Sequence, residues 1–483
     1  MPNRSLLLMM ALCLTLAVST QAADQRAAAK RLAASGDYAG AARYYRETAA
    51  HYRSVGDGQA ALIFDSKADQ YEPQLIGYRD RVASADELGQ FYTGAKAEPL
   101  YGCYIGVNCF QDPFVDRSFQ SFCQKTGKQH ALLYNYARYC RIDSYLLSMT
   151  KAQGPWLQAA CEPDCGLKAV QAGAALDNWA RSLGALKRPL FLRWGSEMNG
   201  SWVRWHGNPS LYIAKWRLVH DVMERLAPNV VMVWCPNATP VPQIARYYPG
   251  DDYVDWVGVN SYVVSVHNNN ANQSAAHENP ADVFRHVYRT YATNKPMMIC
   301  ETGVTHHSRA LGRPDYAFAR ARIGQLYGCL PRLYPRLKAI CYYDVNNLNG
   351  TPNGRPFNNY LLTDNAGVLD AYRQAIAPDY FLSGAQDPSG PLPPYTEGLA
   401  DGQALEGVAH LSAWAKSWVI APVVQYKLDG QVLAHSAACG TYDYDLDCSS
   451  ITPGQHTLTL TMLDKVGGRV LKTVSYTIRT VAQ

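Results

Sequence analysis

The sequence predicts an α/β protein: a (β/α)8 TIM barrel with an N-terminal helical cap and a C-terminal all-β sandwich. Three observations indicate this fold class. Between about residues 98 and 382, eight short apolar runs alternate with amphipathic helical patterns, as such a barrel requires. Residues 24–85 are Ala-rich and helical in pattern, and residues 399–483 consist of short alternating segments between turn residues.

Length and composition describe a globular protein of more than one domain. The chain has 483 residues, 48% of them hydrophobic and 18% charged, which leaves ample material for a large core. The formal net charge of +5 is diffuse, and no run of Lys or Arg indicates nucleic-acid binding. Weak attraction to an acidic polysaccharide is compatible with this charge.

The N-terminus has the pattern of a secretory signal peptide, which we assign to residues 1–22. Arg4 precedes an apolar run from Leu6 to Val18, and small residues suited to cleavage follow. An uncleaved membrane anchor is the alternative, but the run is shorter than the roughly 20 residues of a spanning helix. A lipoprotein site at Cys13 is disfavoured because that residue lies inside the run. We therefore expect a secreted or periplasmic monomer, not inserted in a membrane after cleavage.

The cysteine count predicts disulfide bonds. Of the 13 cysteines, 12 lie outside the signal peptide, an even number in a chain expected in an oxidising compartment. The candidate pairs close in sequence are Cys103 with Cys109, Cys161 with Cys165, and Cys439 with Cys448. A zinc site needs ligands clustered at metal spacing, and these cysteines lack partner histidines. We expect disulfides, with no metal and no cofactor.

The segment 24–85 has turns at Gly36-Asp37 and Gly56-Asp57-Gly58 between helical patterns. Its stretch ASGDYAGAARYYRETAAHY resembles one unit of a tetratricopeptide repeat. The repeat does not recur at its proper period, and a solenoid needs about three stacked units. We therefore expect a helical hairpin or three-helix cap, with a separate peptide-binding module as the alternative.

Residues 86–382 form the predicted barrel domain. The strand candidates are 101–107, 131–136, 156–160, 189–194, 230–234, 256–262, 296–300 and 339–343. The clearest helical patterns between them are 167–183, 211–226, 281–291 and 316–330. A doubly wound open sheet is the structural alternative, but its Gly-rich phosphate turn after the first strand is missing.

The C-terminal part begins with a predicted linker at residues 383–398, which is rich in Pro, Gly and Ser. Within residues 399–483, VVQYKLDGQVLAH and ITPGQHTLTLTMLDKVGGRVL resemble bacterial immunoglobulin-like modules. We expect a small β-sandwich with an accessory role, stapled by Cys439 and Cys448.

Two glutamates stand at predicted strand ends. RPLFLRWGSEMNGSWVRW carries Glu197 after the fourth strand, and KPMMICETGV carries Glu301 at the end of the seventh. Barrels of this kind collect their active sites at the C-terminal strand ends. A carboxylate pair suits glycosidic-bond hydrolysis, in which one group protonates the leaving oxygen and the other attacks the anomeric carbon or activates water. The alternative is that each glutamate is an ion-pair partner at the barrel end.

The neighbours of Glu197 favour the catalytic interpretation. Strand alternation puts Arg193 on the same face, where its charge can keep a carboxylate ionised. Trp202 and Trp205 follow in the loop, and flat aromatic faces suit the apolar faces of sugar rings. Loop packing is the alternative role for the two tryptophans.

RWGSEMNGSWVRW resembles the acid/base motif of glycoside hydrolase family 26, in which Met-Asn-Gly follows the strand-four glutamate. WCPNATPVPQIARYYPGDDYVDWVGVNSY resembles the region of that family from strand five to strand six, and KPMMICETG its nucleophile strand. The resemblance covers residues 98–382. It implies a retaining glycosidase on a (β/α)8 barrel.

The resemblance also implies roles for single residues. Glu197 corresponds to the general acid/base, Glu301 to the nucleophile, and Tyr262 to the tyrosine that hydrogen-bonds the nucleophile. The weaker candidates for substrate contact are Asn199, Trp202, Trp205, Trp234 and Tyr343. Arg193 completes the expected substrate-binding set.

One departure bears on specificity. Many family members have His directly before the acid/base, and this chain has Ser196, which weakens any transfer of mannan specificity. Four histidines near predicted strand ends are lower-ranked candidates for sugar subsites: His206, His267, His306 and His307.

The expected function is that of a secreted retaining endo-β-glycosidase that hydrolyses a β-linked polysaccharide through a covalent glycosyl-enzyme intermediate. Mannan is the default substrate of the family, and mixed-linkage β-glucan, β-1,3-xylan or a bacterial exopolysaccharide are open alternatives. A transglycosylase would use the same intermediate. A polysaccharide-binding or exopolysaccharide assembly protein with little hydrolysis is the alternative from another class.

Overall fold

The computed structural model describes residues 25, 27–150, 154–350, 355–386, 390–437 and 440–481. Within these ranges the chain forms an N-terminal helical region, a closed barrel of parallel strands and C-terminal antiparallel sheets, which confirms the expected fold class. The predicted signal peptide and Cys439 lie outside the described residues. None of the helices in the described ranges has the length and apolarity needed to cross a membrane.

The barrel has eight parallel strands, all anticipated from the sequence. They are β1 (Cys103–Asn108), β2 (Leu132–Arg138), β3 (Trp156–Glu162), β4 (Leu190–Trp194), β5 (Val230–Trp234), β6 (Trp256–Asn260), β7 (Met297–Thr302) and β8 (Leu337–Tyr343). Each strand pairs with the next, and β8 pairs with β1 from Ala339 opposite Tyr104 to Tyr343 opposite Asn108, which closes the sheet.

Two apolar layers hold the barrel together. Residues of one parity, such as Tyr134, Phe191 and Val233, form the cluster inside the barrel. Residues of the other parity, such as Leu192 and Trp194, face outward and belong to the larger cluster that also contains the helices. This alternation follows from the two-residue period of a β-strand.

The outer layer consists mainly of helices between successive strands. These are Phe119–Thr126, Ser144–Met149, Ala174–Gly184, Pro209–Leu226, Val241–Ile244, Pro280–Val283, Arg285–Tyr291, Tyr316–Leu333 and Ala366–Ile376. The longest begin with sequence signals for a helix start. Asn208 and Asp315 cap Pro209–Leu226 and Tyr316–Leu333 with side-chain oxygens that accept hydrogen bonds from the backbone amides of Leu211 and Phe318.

The N-terminal region is helical over residues 27–34 and in Tyr38–Ser54 and Gly58–Asp69, and these segments share the small core around Tyr45 and Phe64. The structure departs from the helical prediction after residue 69. Gln74–Arg81, inside the segment 24–85, is a strand between Tyr395–Gly398 and Val408–Lys416. Its partners lie more than 300 residues away, so no local pattern announces the pairing.

The C-terminal part packs two sheets face to face. One sheet has the order Tyr395–Gly398, Gln74–Arg81, Val408–Lys416, Tyr444–Asp447. The other has the order Gln403–Leu405, Val470–Thr480, Gly454–Leu463, Val423–Leu428, Gln431–Ser436. Residues such as Leu411, Val424 and Leu460 fill the space between them. The predicted linker 383–398 therefore ends in a strand, because residues 395–398 complete the edge of the first sheet.

The predicted disulfides are not formed among the described residues, where all 11 cysteines are free thiols. Cys103 opens β1 and Cys109 follows its last residue, Asn108. Six residues of extended strand separate them by about 20 Å, far beyond the roughly 7 Å between Cα atoms that a disulfide tolerates. Cys161 is buried at the end of β3 and Cys165 is exposed after it, and both are free. The pairing of Cys439 with Cys448 lies outside the described residues.

Candidate active site

A cleft of about 1660 Å3 opens at the C-terminal ends of the barrel strands and extends to the N-terminal helical region. Among the residues that line it are seven of the nine predicted site residues: Arg193, Glu197, Trp202, Trp205, Tyr262, Glu301 and Tyr343. The two glutamates therefore face one open space, at the end of the barrel where the sequence places them.

Glu301 reaches this cleft through an irregularity in β7. Met298 and Cys300 point into the barrel, so simple alternation would turn Glu301 outward. The register of β7 shifts against β6 after Val259 and against β8 after Ile340, both next to this residue. Such β-bulges re-aim a side chain and occur often beside active sites. The bulge is what turns the Glu301 carboxylate toward the cleft.

The carboxylate of Glu301 is held by one cation and one hydroxyl. Arg193 Nη2 donates to its Oε2 at 2.8 Å, and the Tyr262 hydroxyl donates to its Oε1. Burial alone would lower the pKa of Arg193, but the charge of Glu301 and other neighbours raises it well above the usual value. Burial and Glu301 also raise the pKa of Tyr262, so its hydroxyl keeps the donated proton. This arrangement fixes the orientation of a carboxylate.

Glu197 is held differently, by neutral donors only. Its backbone has a φ of 59°, uncommon for a residue other than glycine, and its amide donates to Cys235 O at 2.8 Å. Its Oε1 accepts hydrogen bonds from Asn260 Nδ2 at 2.8 Å and Asn237 Nδ2 at 3.0 Å. Its Oε2 accepts one from Trp202 Nε1 at 2.5 Å. Within the described residues no cation forms an ion pair with this carboxylate, so its partners differ from those of Glu301.

Asn260, at the end of β6, connects the two glutamates. Its Oδ1 accepts a hydrogen bond from Arg193 Nη1 at 2.8 Å, while its Nδ2 donates to Glu197. The sequence analysis did not single out Asn260 or Asn237, although both lie in the quoted segment from strand five to strand six. Their role depends on the proximity of β4, β5 and β6, which the sequence alone does not give.

The aromatic residues of the cleft take distinct positions. Trp202 is exposed (42%), with Arg355 above its ring at 5.5 Å from the centroid. A Cβ at Gly200 would lie 2.2 Å from Trp202, so the glycine leaves room for the indole. Trp205 is buried and donates to Ser196 O at 2.7 Å. Of these two tryptophans, only Trp202 is exposed.

The structure does not bring Asn199 and Trp234 to the cleft, and both are fully buried, while substrate contact by either residue stays a prediction. Asn199 is fully buried and exchanges hydrogen bonds of 2.9 Å with the backbone of Asn237, which it positions. Trp234 lies on the outward face of β5 and packs against Tyr248 and Tyr291. The alternation of side chains along β5 excludes Trp234 from the barrel interior, because Val231 and Val233 point inward.

The four lower-ranked histidines are also dispersed. His267 alone lines the wide cleft, where its Nε2 lies 2.9 Å from Glu278 Oε1. His206 contacts Met198 O at 3.0 Å. His306 is buried 3.0 Å from Asp364, and His307 belongs to a short antiparallel pairing.

Sequence reasoning missed Glu162, an acid of the cleft that is the last residue of β3. Its pKa is raised to about 7, mainly by burial; the charge of Arg193 opposes this shift, whereas Asp164 and both catalytic candidates add to it. Its position at a strand end in QAACEPDC was a readable signal, of the same kind that identified the other two glutamates. Tyr136 and Tyr360 also line the cleft.

The described residues contain no group of three or more His, Cys, Asp or Glu arranged to hold a metal ion.

Comparisons with known proteins show which family and which relatives parts of the chain resemble. Residues 168–305 match the model of glycosyl hydrolase family 26. Over 99 residues the chain is 37% identical to a β-1,3-xylanase of Vibrio sp, covering 19% of this chain and 21% of that protein. Over 320 residues it is 23% identical to endoglucanase H of Acetivibrio thermocellus, covering 61% of this chain and 31% of that protein. The chain thus spans about a fifth to a third of the length of these relatives.

Solved structures of similar fold include a GH26 β-mannanase from Bacteroides ovatus, at 15% identity and a TM-score of 0.43, covering 63% of this chain and 96% of that one. GH26C from Muricauda sp. has 15% identity and a TM-score of 0.46, covering 64% of this chain and 93% of that one. The segment that matches the family model, residues 168–305, contains Glu197, Asn260 and Glu301.

Proposed function

We propose that this protein is a retaining endo-β-glycosidase that hydrolyses a β-linked polysaccharide through a covalent glycosyl-enzyme intermediate. The observation that carries the proposal is the unequal environment of two facing glutamates. Glu301 is paired with the Arg193 guanidinium at 2.8 Å, whereas Glu197 accepts hydrogen bonds from amides and an indole. Paired acids whose surroundings differ in this way divide into a nucleophile and an acid/base.

In the first step, Glu301 attacks the anomeric carbon and Glu197 donates a proton to the departing glycosidic oxygen. The bond from the anomeric carbon to that oxygen breaks, and an ester bond to Glu301 forms. Arg193 and Tyr262 orient the attacking carboxylate. The exposed ring of Trp202 offers a stacking surface for a sugar next to the acid/base.

In the second step, Glu197 accepts a proton from water as the water attacks the anomeric carbon and releases Glu301. The charge of Glu301 is absent from the ester, so Glu197 is a better base at this stage. Asn260 and Asn237 keep its Oε1 in place through both steps.

The substrate is assigned at the level of a β-linked polysaccharide. Mannan is the family default, whereas the relatives are named as a β-1,3-xylanase and an endoglucanase. Ser196, buried in the cleft wall directly before the acid/base, stands where many family members have His. The panel of polymers to be tested therefore contains mannan, β-1,3-xylan, β-glucans and bacterial exopolysaccharides.

Secretion belongs to the same proposal. Residues 1–22 have the pattern of a signal peptide, and a polysaccharide substrate outside the cell requires export. N-terminal sequencing of the protein recovered outside the cytoplasm is expected to begin near residue 23, and an uncleaved chain held in the cell would contradict export.

The test is incubation of the purified protein with the polymer panel, reading new reducing ends beside a Glu301→Ala control. Proton NMR of the first product is expected to show the β-anomer, since two displacements retain configuration. An initial α-anomer would refute the covalent intermediate. Binding without any cleavage would instead favour a polysaccharide-binding or assembly protein.

A further inference from the structure

A second pocket, of about 510 Å3, opens beside the catalytic cleft and shares Tyr136, Glu162 and Asp164 with it. Its other walls are Ala137, Arg138, Arg141 and Asp143, from the end of β2 and the turn that follows. The pocket is therefore an extension of the catalytic site along the β2 and β3 strand ends.

Two arginines stand side by side in this turn. Arg138 and Arg141 form an antiparallel bridge, and the Arg141 amide donates to Arg138 O at 2.9 Å. Bridge partners project from the same face, and like charges placed directly opposite each other are destabilising. Cys140 between them has a φ of 59°, which also costs free energy for a residue other than glycine. Placing two positive charges side by side in this turn therefore lowers the stability of the protein.

Neither guanidinium group has a partner among the residues that the structure describes. In the part of the chain that the structure describes, Arg138 and Arg141 make no side-chain hydrogen bond, ion pair or ring contact, although three acids line the same pocket. Most exposed arginines are simply solvated. These two differ because they stand opposite each other in the bridge. Arg138 also has the same strand parity as Tyr134, whose side chain points into the barrel. Since Arg138 is the last residue of β2, this direction takes its side chain toward the barrel mouth.

The acids of the pocket are compatible with an anion nearby. Asp143 Oδ1 accepts the amide of Tyr145 at 2.7 Å and so caps a helix. Burial raises the pKa of Glu162 to about 7, so near neutral pH it is protonated about half the time. The backbone of Asp164 is contacted by the Arg204 guanidinium, a further positive charge at the rim. Carboxyl groups here can accept hydrogen bonds from sugar hydroxyls.

We propose that the Arg138–Arg141 pocket binds the carboxylate of a uronic acid residue beside the scissile bond, so that the substrate is an acidic β-linked polysaccharide. The inference rests on the proposed function for its reaction and supplies the class of its substrate. Guanidinium groups match a carboxylate through paired, charge-assisted hydrogen bonds, and two of them converge here.

The experiment compares polymers that differ only in charge. The probes are a β-1,4-linked polymannuronate and a glucuronoxylan, each beside the neutral polymer obtained by reducing its carboxylates. Affinity is measured with the full chain carrying Glu301→Gln, which prevents turnover, and the unmodified chain is assayed for cleavage in parallel. At least one acidic polymer is expected to bind about tenfold tighter than its reduced form, equivalent to about 1.4 kcal/mol.

The decisive variant is Arg138→Gln/Arg141→Gln, which is expected to abolish that preference. Its matched control is Arg181→Gln/Arg225→Gln, which also removes two positive charges, both from exposed side chains that flank Asp177 on the outer helices. The control is expected to retain the preference. Raising ionic strength from about 0.01 M to about 1 M should also reduce it, since the screening length falls from about 30 Å to about 3 Å.

Each outcome has one meaning. Equal affinity for acidic and reduced polymers in every pair, or a preference unchanged by the Arg138→Gln/Arg141→Gln variant, overturns the pocket assignment. Cleavage of neutral polymers alone would do the same and leave the glycosidase proposal intact. A preference lost in that variant, with no cleavage of any polymer by the unmodified chain, would support the pocket and refute the glycosidase.

Discussion

The two halves of the catalytic cleft use the same side chain in opposite settings. On the β7 side, Glu301 meets a buried guanidinium group and a tyrosine hydroxyl. On the β4 side, Glu197 meets two amides and an indole, and it adopts a left-handed backbone conformation. The comparison teaches that residue type alone does not assign a role, since the roles proposed for the two glutamates follow from the partners that neighbouring strands supply.

The largest expected effect on activity comes from replacing Glu301, the glutamate that pairs with the Arg193 guanidinium. Glu301→Ala should lower kcat by about 10⁵-fold, because it removes the carboxylate that is proposed to form the ester. Added azide should restore turnover and yield the α-glycosyl azide, which kinetics and NMR of the product can establish. Circular dichroism is expected to match that of the parent protein. Retained turnover without azide would remove Glu301 as the nucleophile.

For Glu197, which is held by neutral donors, the loss of activity on substitution should depend on the leaving group of the substrate. Glu197→Ala is expected to lower kcat/KM on polysaccharide by about 10³-fold, because general acid catalysis is lost. A dinitrophenyl glycoside needs no protonation and should keep most of its rate of glycosylation, measured as the burst of released phenol. Equal losses on both substrates would contradict the acid role.

The connection between the halves can be tested at Asn260. Asn260→Asp adds a negative charge beside Glu197, and a like charge raises the pKa of a carboxyl. The alkaline limb of the profile of kcat/KM against pH should therefore move to higher pH, with a loss of about 10-fold to 100-fold in rate from weakened contacts. Asn260→Ala is the matched control: it should lose rate without that shift.

Glu162 lines the same cleft as Glu197 and Glu301, and its replacement should change the stability of the protein. Its pKa is raised from 4.5 to about 7 by burial, so the folded state binds more protons than the unfolded state between these values. Stability should consequently fall as pH rises through this window, by about 1–3 kcal/mol. Glu162→Gln should flatten this fall in urea unfolding at pH 4.5 and pH 8, and an unchanged slope would contradict the assignment.

The smallest expected effect concerns the indole donor to Glu197. Trp202→Phe keeps an aromatic face for sugar stacking but removes the hydrogen bond at 2.5 Å. We expect kcat/KM to fall only about threefold to tenfold, with KM nearly unchanged. Trp202→Ala should raise KM as well. Identical kinetics of the two variants would show that the ring face makes no contribution.

Much of the barrel was predictable because its signals are local. Apolar runs of four to seven residues ending in polar loops marked all eight strands, and strand order then placed Glu197 and Glu301 at one end. The inward turn of Glu301 was not predictable, since it depends on a bulge defined against β6 and β8. The outward position of Trp234 was predictable, because alternation along β5 already points its side chain away from the barrel interior.

Other features of the site depend on contacts that form only when the chain is folded. Asn237 and Asn260 become significant when three strand ends meet around Glu197. The bridge of Arg138 with Arg141 depends on a turn conformation without a glycine to announce it. Cysteine parity suggested disulfides, yet the spacing along β1 already excluded one of the pairs.

The strand Gln74–Arg81 has a consequence for biosynthesis. Arg79 contacts Glu397, 318 residues later, so this strand emerges from the ribosome long before the strands on either side of it. At about 5–20 residues per second, the delay is about 15–60 s, during which both of its edges stay open. Chains that stop before residue 395 would leave that strand without its sheet. The first sheet of the C-terminal sandwich can therefore form only after most of the polypeptide has been synthesised.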